Sequence, residues 1–243
     1  EEETFYDNLL PHKRGSEGQQ RASSGKSQVT AIHSIKTYVG HPVFLASLAY
    51  CMLFMTVLDN GALITSYFTW RDLQTSLIGF QRGLGAVLGL LGTFAFMRMI
   101  SRGHDAKTIG LTSIWLFVAS LVPSAVILVL FGSNRFSDYA LITAMIFSRA
   151  ALWMFDLAEK QIMQEMIADS SRGVVNSMQV ATYQTLYCVI QVFGMIFHKP
   201  TQFGTLAVIS TCSLVASALI YTHWYFSNKG NGEVSADASP TES

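Results

Sequence analysis

The chain has 243 residues, with 16 Lys+Arg against 16 Asp+Glu; half of it is hydrophobic and 13% is charged. A soluble domain carries roughly twice that charged share, so the composition argues against a soluble globular protein and more strongly against a disordered one. Zero net charge leaves no electrostatic footprint for nucleic acid, and three cysteines without paired spacing exclude a disulfide scaffold and the common zinc motifs.

The chain opens Glu1-Glu2-Glu3, with no initiator Met and no basic segment running into an apolar one, so no signal peptide is expected and the sequence reads as a fragment. Residues 1–36 are polar and Gly/Ser/Gln-rich, which predicts a disordered cytoplasmic linker. Four stretches then contain no Asp, Glu, Lys or Arg: 37–58, 108–134, 173–198 and 200–228. Each is long enough to cross a bilayer, which takes about 20 helical residues. Two further apolar stretches are interrupted by charge, 75–97 by Arg82 and 139–158 by Arg149 and Asp156. Such helices still span if the charges face the bundle interior. The expectation is an all-α membrane protein whose six helices lie near 41–68, 75–99, 108–131, 139–164, 174–197 and 202–226. They make a transmembrane bundle over 37–228, followed by a disordered cytoplasmic tail over 229–243.

The basic residues orient that bundle. Lys13, Arg14, Arg21, Lys26, Lys36, Arg98, Arg102, Lys107, Lys160, Arg172 and Lys229 fall on one side, and only Arg71, Arg135 and Lys199 on the other. This bias puts both ends of the sequence in the cytoplasm. Tyr67 and Trp70 close the first helix and Tyr221, Trp224 and Tyr225 the last, which reads as aromatic anchoring at the membrane interface.

The first helix is interrupted at Asp59-Asn60-Gly61, which is turn chemistry. The interruption is either an intramembrane break, of the kind that brings carbonyls and side chains around a transported solute, or an exposed turn that ends a short span. Because an intramembrane acid is functional by default, Asp59 and Asn60 are substrate-pathway candidates. The second helix carries Gly79/Gly83 and Gly85/Gly89, two GxxxG spacings that permit close helix approach, beside Arg82. The fourth helix carries Arg149 and Asp156 seven residues apart on one face, with Lys160 four beyond Asp156. That polar stripe suits a charge-paired gate, whereas Glu159, Lys160 and Glu165 read equally as a solvated helix end. On the fifth helix Tyr183, Tyr187 and Gln191 share a face, a polar stripe suited to lining a cavity, so Tyr183 and Tyr187 are further substrate-pathway candidates. Cys188 is either a soft metal ligand or, as is commoner for a lone membrane cysteine, packing. No G-x-S-x-G, HExxH, P-loop or CxxC motif occurs, so an enzyme is not expected.

Three segments carry a family resemblance: Gly40-His41-Pro42-Val43-Phe44-Leu45 with Met55-Thr56-Val57-Leu58; Ala151-Leu152-Trp153-Met154-Phe155-Asp156-Leu157 with Gln161 and Gln164-Glu165; and Ser171-Arg172-Gly173-Val174-Val175-Asn176. Together they span about residues 36–228, and the chain resembles the ferroportin family of iron exporters. The resemblance implies the C-terminal half of a twelve-helix transporter of the major facilitator type, with the N-terminal half as its missing partner. It implies efflux of iron(II), and of related divalent ions, by alternating access in a multi-pass plasma-membrane protein that needs no cofactor. Gate candidates are Arg82, Arg149, Asp156, Gln161 and Arg172, of which Asp156, Gln161 and Arg172 lie in retained motifs. Animal members place a metal-site Cys and His where this chain has Ala62 and Ile190, and an Asp where it has Tyr187. That metal pair is therefore not carried over, and no hepcidin-type peptide is expected as a partner. Asp59, Asn60 and Cys188 are substitutes suggested by spacing. The competing expectations are a carrier of a different, organic solute, which Tyr183, Tyr187 and Gln191 would suit, and a non-transporting membrane protein.

Overall fold

Long apolar runs in lipid must satisfy their backbone internally, and here they do so as helices. The structure, a computed structural model, describes residues 32–59 and 61–237. Asn60 and nearly all of the expected N-terminal linker therefore lie outside the described residues. The segment that ends at His41 forms a unit of its own, and its described part is helical over 32–39, closed where the Gly40 N–H bonds the Lys36 carbonyl.

From Pro42 onward the helices are α1 (Phe44–Met52), α2 (Ala62–Trp70), α3 (Thr75–Ser101), α4 (Ala106–Phe131), α5 (Arg135–Met166), α6 (Asp169–Ile196) and α7 (Phe203–Asp237), with one 3-10 turn at Pro200–Gln202. Their order and bounds follow the sequence reading closely, α1 and α2 being the two pieces of the first expected helix. Two boundaries differ. The first helix unwinds directly after Met52, not at Asp59. The last helix continues to Asp237, through part of the expected disordered tail. A helix leaving its apolar layer needs only its own backbone hydrogen bonds to continue, and the sequence reading ended it where the apolar pattern stopped.

Among the described residues, four helical segments are long and apolar enough to cross a membrane: Thr75–Ser101, Ala106–Phe131, Arg135–Met166 and Pro200–Lys229. The α1 and α2 pieces have nine residues each, about 13 Å at the helical rise, too short to cross singly. The remaining helix, α6, is long but diluted by Asn176, Gln179, Gln184 and Gln191.

The bundle is centred on α5, which packs along both α3 and α4, while α7 packs on α4 and α1. Small residues set the α3–α5 spacing. An added Cβ at Gly85 would lie 3.2 Å from Arg149 Cγ and one at Gly89 2.7 Å from the Trp153 ring, while one at Gly92 would fall on the Ala150 carbonyl. At Gly79 and Gly83 the space is open. So only the second GxxxG spacing, extended to Gly92, is used for packing among the described residues. Phe96, Ile109, Met154 and Ala158 fill the layer beyond it.

The expected aromatic anchors are mostly inside. Tyr67, Tyr221 and Trp224 are at most 2% exposed. Their polar tips find protein partners: Tyr67 donates to Asp138 at 2.9 Å, Tyr221 to the Lys107 carbonyl at 3.2 Å, and Trp224 to the Pro42 carbonyl at 2.8 Å. A ring with a satisfied tip has no need of an interface, which the sequence pattern does not reveal.

Candidate functional site

The chain between α1 and α2 builds the site. After Met52 the bonding tightens: the N–H groups of Leu53, Phe54 and Met55 reach back three residues, to Tyr50, Cys51 and Met52. Two β-branched residues follow, and Thr56 Oγ1 accepts the Leu58 N–H at 3.0 Å, an alternative to helical pairing. Helix resumes after Gly61, whose carbonyl accepts both the N–H and the hydroxyl of Thr65. The break is thus a stretch of nine residues, Leu53 to Gly61, between α1 and α2.

This stretch and α5, with Tyr50 of α1 and Phe117 of α4, line a cavity of about 300 Å³, with Asp59, Arg149 and Asp156 as its charged lining and Tyr50, Phe54, Phe117 and Trp153 as its aromatic lining. Arg149 forms an ion pair with Asp59. The carboxylate is about half exposed and the guanidinium mostly buried, its side chain 13% exposed. The Arg149 Nε has no hydrogen-bond partner among the described residues, so a donor remains beside the cavity. Asp156 accepts from the Tyr50 hydroxyl at 2.8 Å and pairs with Lys160 at 2.6 Å. Arg149 and Asp156, expected on one face of the fourth helix, do face one cavity together.

The other sequence candidates are dispersed. Arg82 donates to Thr65 Oγ1 at 2.7 Å and lines an open groove on α2 with Thr69 and Trp70, away from the remaining gate candidates. Gln161 donates to Glu165 at 2.7 Å. Arg172 pairs with Asp169 at 2.9 Å and donates to the Gln164 and Ile167 carbonyls. Among the described residues, Asp156, Gln161 and Arg172 therefore do not bond to one another: Gln161 and Arg172 bond to neighbours in sequence, and Asp156 to Lys160 and Tyr50. Tyr183 stacks on Phe54 with ring centroids 4.7 Å apart, which joins α6 to the break. Tyr187 is exposed and accepts from Gln191 at 2.8 Å. Cys188 is exposed and is not part of the cavity lining that holds Asp59. Ile190 is buried. No group of three or more His, Cys, Asp or Glu close enough to hold a metal ion occurs among the described residues.

Of the aromatic lining of the cavity, Tyr50, Phe54 and Phe117 escaped the sequence reading. Tyr50 and Phe54, four apart on α1 and its continuation, put one ring on Asp156 and the other on Tyr183. Glu159, read as part of a solvated helix end, is 2% exposed and accepts from Gln179 at 2.5 Å. The available signal was its spacing: three residues after Asp156, it lies on the face that already carries Arg149 and Asp156.

Comparison with known proteins gives a consistent picture. A family profile described as Ferroportin1 (FPN1) matches residues 8–214. The "Solute carrier family 40 member 1" protein of Arabidopsis thaliana is 32% identical over 205 residues, covering 82% of this chain and 38% of that protein. Among solved structures, a bacterial homologue of the iron transporter ferroportin in an outward-facing state superposes with a TM-score of 0.72 at 23% identity, covering 78% of this chain and 47% of that one. The same kind of homologue with soaked iron gives 0.71 at 23% identity, over 77% and 47%. The chain spans less than half the length of the curated relatives it matches.

Proposed function

The chain belongs to the ferroportin family, a family of transporters and not of enzymes, and from that premise we propose that it is the C-terminal, six-helix half of a twelve-helix exporter of iron(II). The observation that carries the proposal is a broken helix whose acid, Asp59, faces a cavity shared with α5. In this reading the α1–α2 pair and α6 each complete a membrane crossing. Both ends lie in the cytoplasm of a plasma-membrane protein, and the N-terminal half supplies the facing wall of the pathway.

Iron(II) favours carboxylate, carbonyl, imidazole and water over an all-thiolate cage. A single carboxylate with nearby unwound carbonyls makes a weak, wet site, which suits an exporter that must let its ion go. A cation arriving at Asp59 competes with the Arg149 guanidinium for the same carboxylate, so departure of the ion restores the internal ion pair. Asp156, held by Tyr50 and Lys160, belongs to the cytoplasmic gate with Gln161 and Arg172, whose partners across the pathway are in the other half. Cys188, exposed on α6, contributes to the metal path only when the facing half closes over it. The iron-soaked bacterial homologue supports the choice of substrate. The four aromatic rings of the cavity favour the second reading, a carrier of an organic solute.

The test is efflux from cells loaded with radioactive iron(II) and expressing the full-length parent. The parent is expected to lower cell iron, Asp59→Ala to abolish that efflux, and Asp156→Ala to lower the maximal rate while leaving the iron KM unchanged. Unchanged efflux in Asp59→Ala moves the metal site to the other half. A well-expressed parent without efflux overturns the iron reading in favour of the organic solute.

A further inference from the structure

Unwinding at Met52 frees backbone groups that a continuous helix would pair internally, and in an apolar layer such groups must be satisfied by protein. Because the Leu53 N–H turns back to Tyr50, the Ala49 carbonyl loses the donor that a regular helix would supply four residues on. Ser217 donates to that carbonyl at 2.5 Å. Ser213 donates to the Met52 carbonyl at 2.9 Å, and the Val57 N–H donates to Ser210 Oγ at 2.8 Å.

These serines recur at i, i+3 and i+7, so they share one face of α7. Ser210 and Ser217 are fully buried and Ser213 is nearly so. Hydroxyls in apolar helices commonly bond back to their own helix, four residues earlier. Thr211 and Thr222 on α7 do so, to Ala207 and Ala218. The three serines instead reach across to the end of α1 and its continuation, where the Met52 carbonyl accepts both Ser213 and the Met55 N–H.

We propose that this serine stripe is the rail that seats the broken helix, and that Ser210 is a positioning residue. It grips Val57, two residues before Asp59, and so fixes where the carboxylate meets the cavity. The rail follows from the hydrogen bonds alone; its consequence for transport rests on the Asp59 reading above.

The experiment uses the full-length parent with two readouts. In a Leu58→Cys background, where the introduced thiol takes the place of a side chain only 2% exposed, labelling by a small maleimide is measured over that of the parent. Ser210→Ala is expected to speed labelling several-fold and to raise the iron KM about tenfold at unchanged maximal rate, the size expected for a lost buried hydrogen bond. Ser210→Thr, which keeps the hydroxyl, is expected to restore both. Should Ser210→Ala fail to reach the membrane, Ser217→Ala gives the same labelling test at the other end of the rail. Unchanged labelling overturns the rail. Faster labelling with an unchanged KM, where Asp59→Ala does abolish efflux, overturns the positioning role. Faster labelling where Asp59→Ala leaves efflux intact leaves the rail standing and removes the Asp59 site.

Discussion

Gly92→Ala is expected to destabilise the bundle by about 3 kcal/mol, the upper range for forcing volume into a packed interior. At most positions an extra methyl displaces the end of a flexible side chain. At Gly92 it would fall on the carbonyl, carbonyl carbon and Cα of Ala150, which are backbone of α5 and cannot rotate away. The α3–α5 pair must separate, taking with it the contacts of Arg149 on Gly85 and Trp153 on Gly89, and the cavity wall is lost with them. Gly83→Ala, nine residues earlier on the same helix, meets nothing within 4 Å. It is expected to be neutral or to stabilise by up to about 1 kcal/mol through helix propensity. Thermal unfolding of the two variants in detergent, followed by size-exclusion of the full-length parent, separates them. Equal midpoints would mean that close α3–α5 approach is not what these glycines are for.

The second large effect is expected at Asp138. Its side chain is fully buried in the first turn of α5, where a carboxylate also suits the helix dipole. It accepts from Tyr67 at 2.9 Å and pairs with Arg71 at 2.9 Å. Tyr67 in turn stacks on Phe203, ring centroids 4.1 Å apart. This cluster ties α2 to α5 and α7, just as the serine stripe ties the α1 end of the break to α7. Asp138→Ala leaves a phenol and a mostly buried guanidinium without their acceptor and is expected to cost about 3 kcal/mol. Asp138→Asn retains an acceptor and is expected to cost less. Adding Arg71→Leu to Asp138→Ala should recover part of the loss, because the cost lies in the stranded charge. A double-mutant cycle on the unfolding midpoint measures this, and simple additivity of the two losses would refute the account.

Much of the architecture is determined by sequence through one physical fact: lipid admits a backbone only when its polar groups are paired, so long apolar runs with few or no charges map onto helices with little ambiguity. That is why α3, α4, α5 and α6 appear within a few residues of their expected bounds, and why the break in the first helix was visible at Asp59-Asn60-Gly61. The family motifs around Asp156 and Arg172 were legible for the same reason that any linear motif is. What tertiary structure alone decided are matters of facing. Helical periodicity put Arg149 with Asp156 but could not tell that the open groove of α2, not their cavity, would receive Arg82. Nor could it tell that Gly79 and Gly83 would meet open space while Gly92 met a backbone. Tyr67, Tyr221 and Trp224 have the composition of interface anchors, yet each has an acceptor contributed by a residue distant in sequence. Glu159 has the look of a solvated end until Gln179 arrives from the next helix. The break opens at Met52 because serines on α7 can receive the groups it frees, and no local pattern at Met52 announces partners more than 150 residues away.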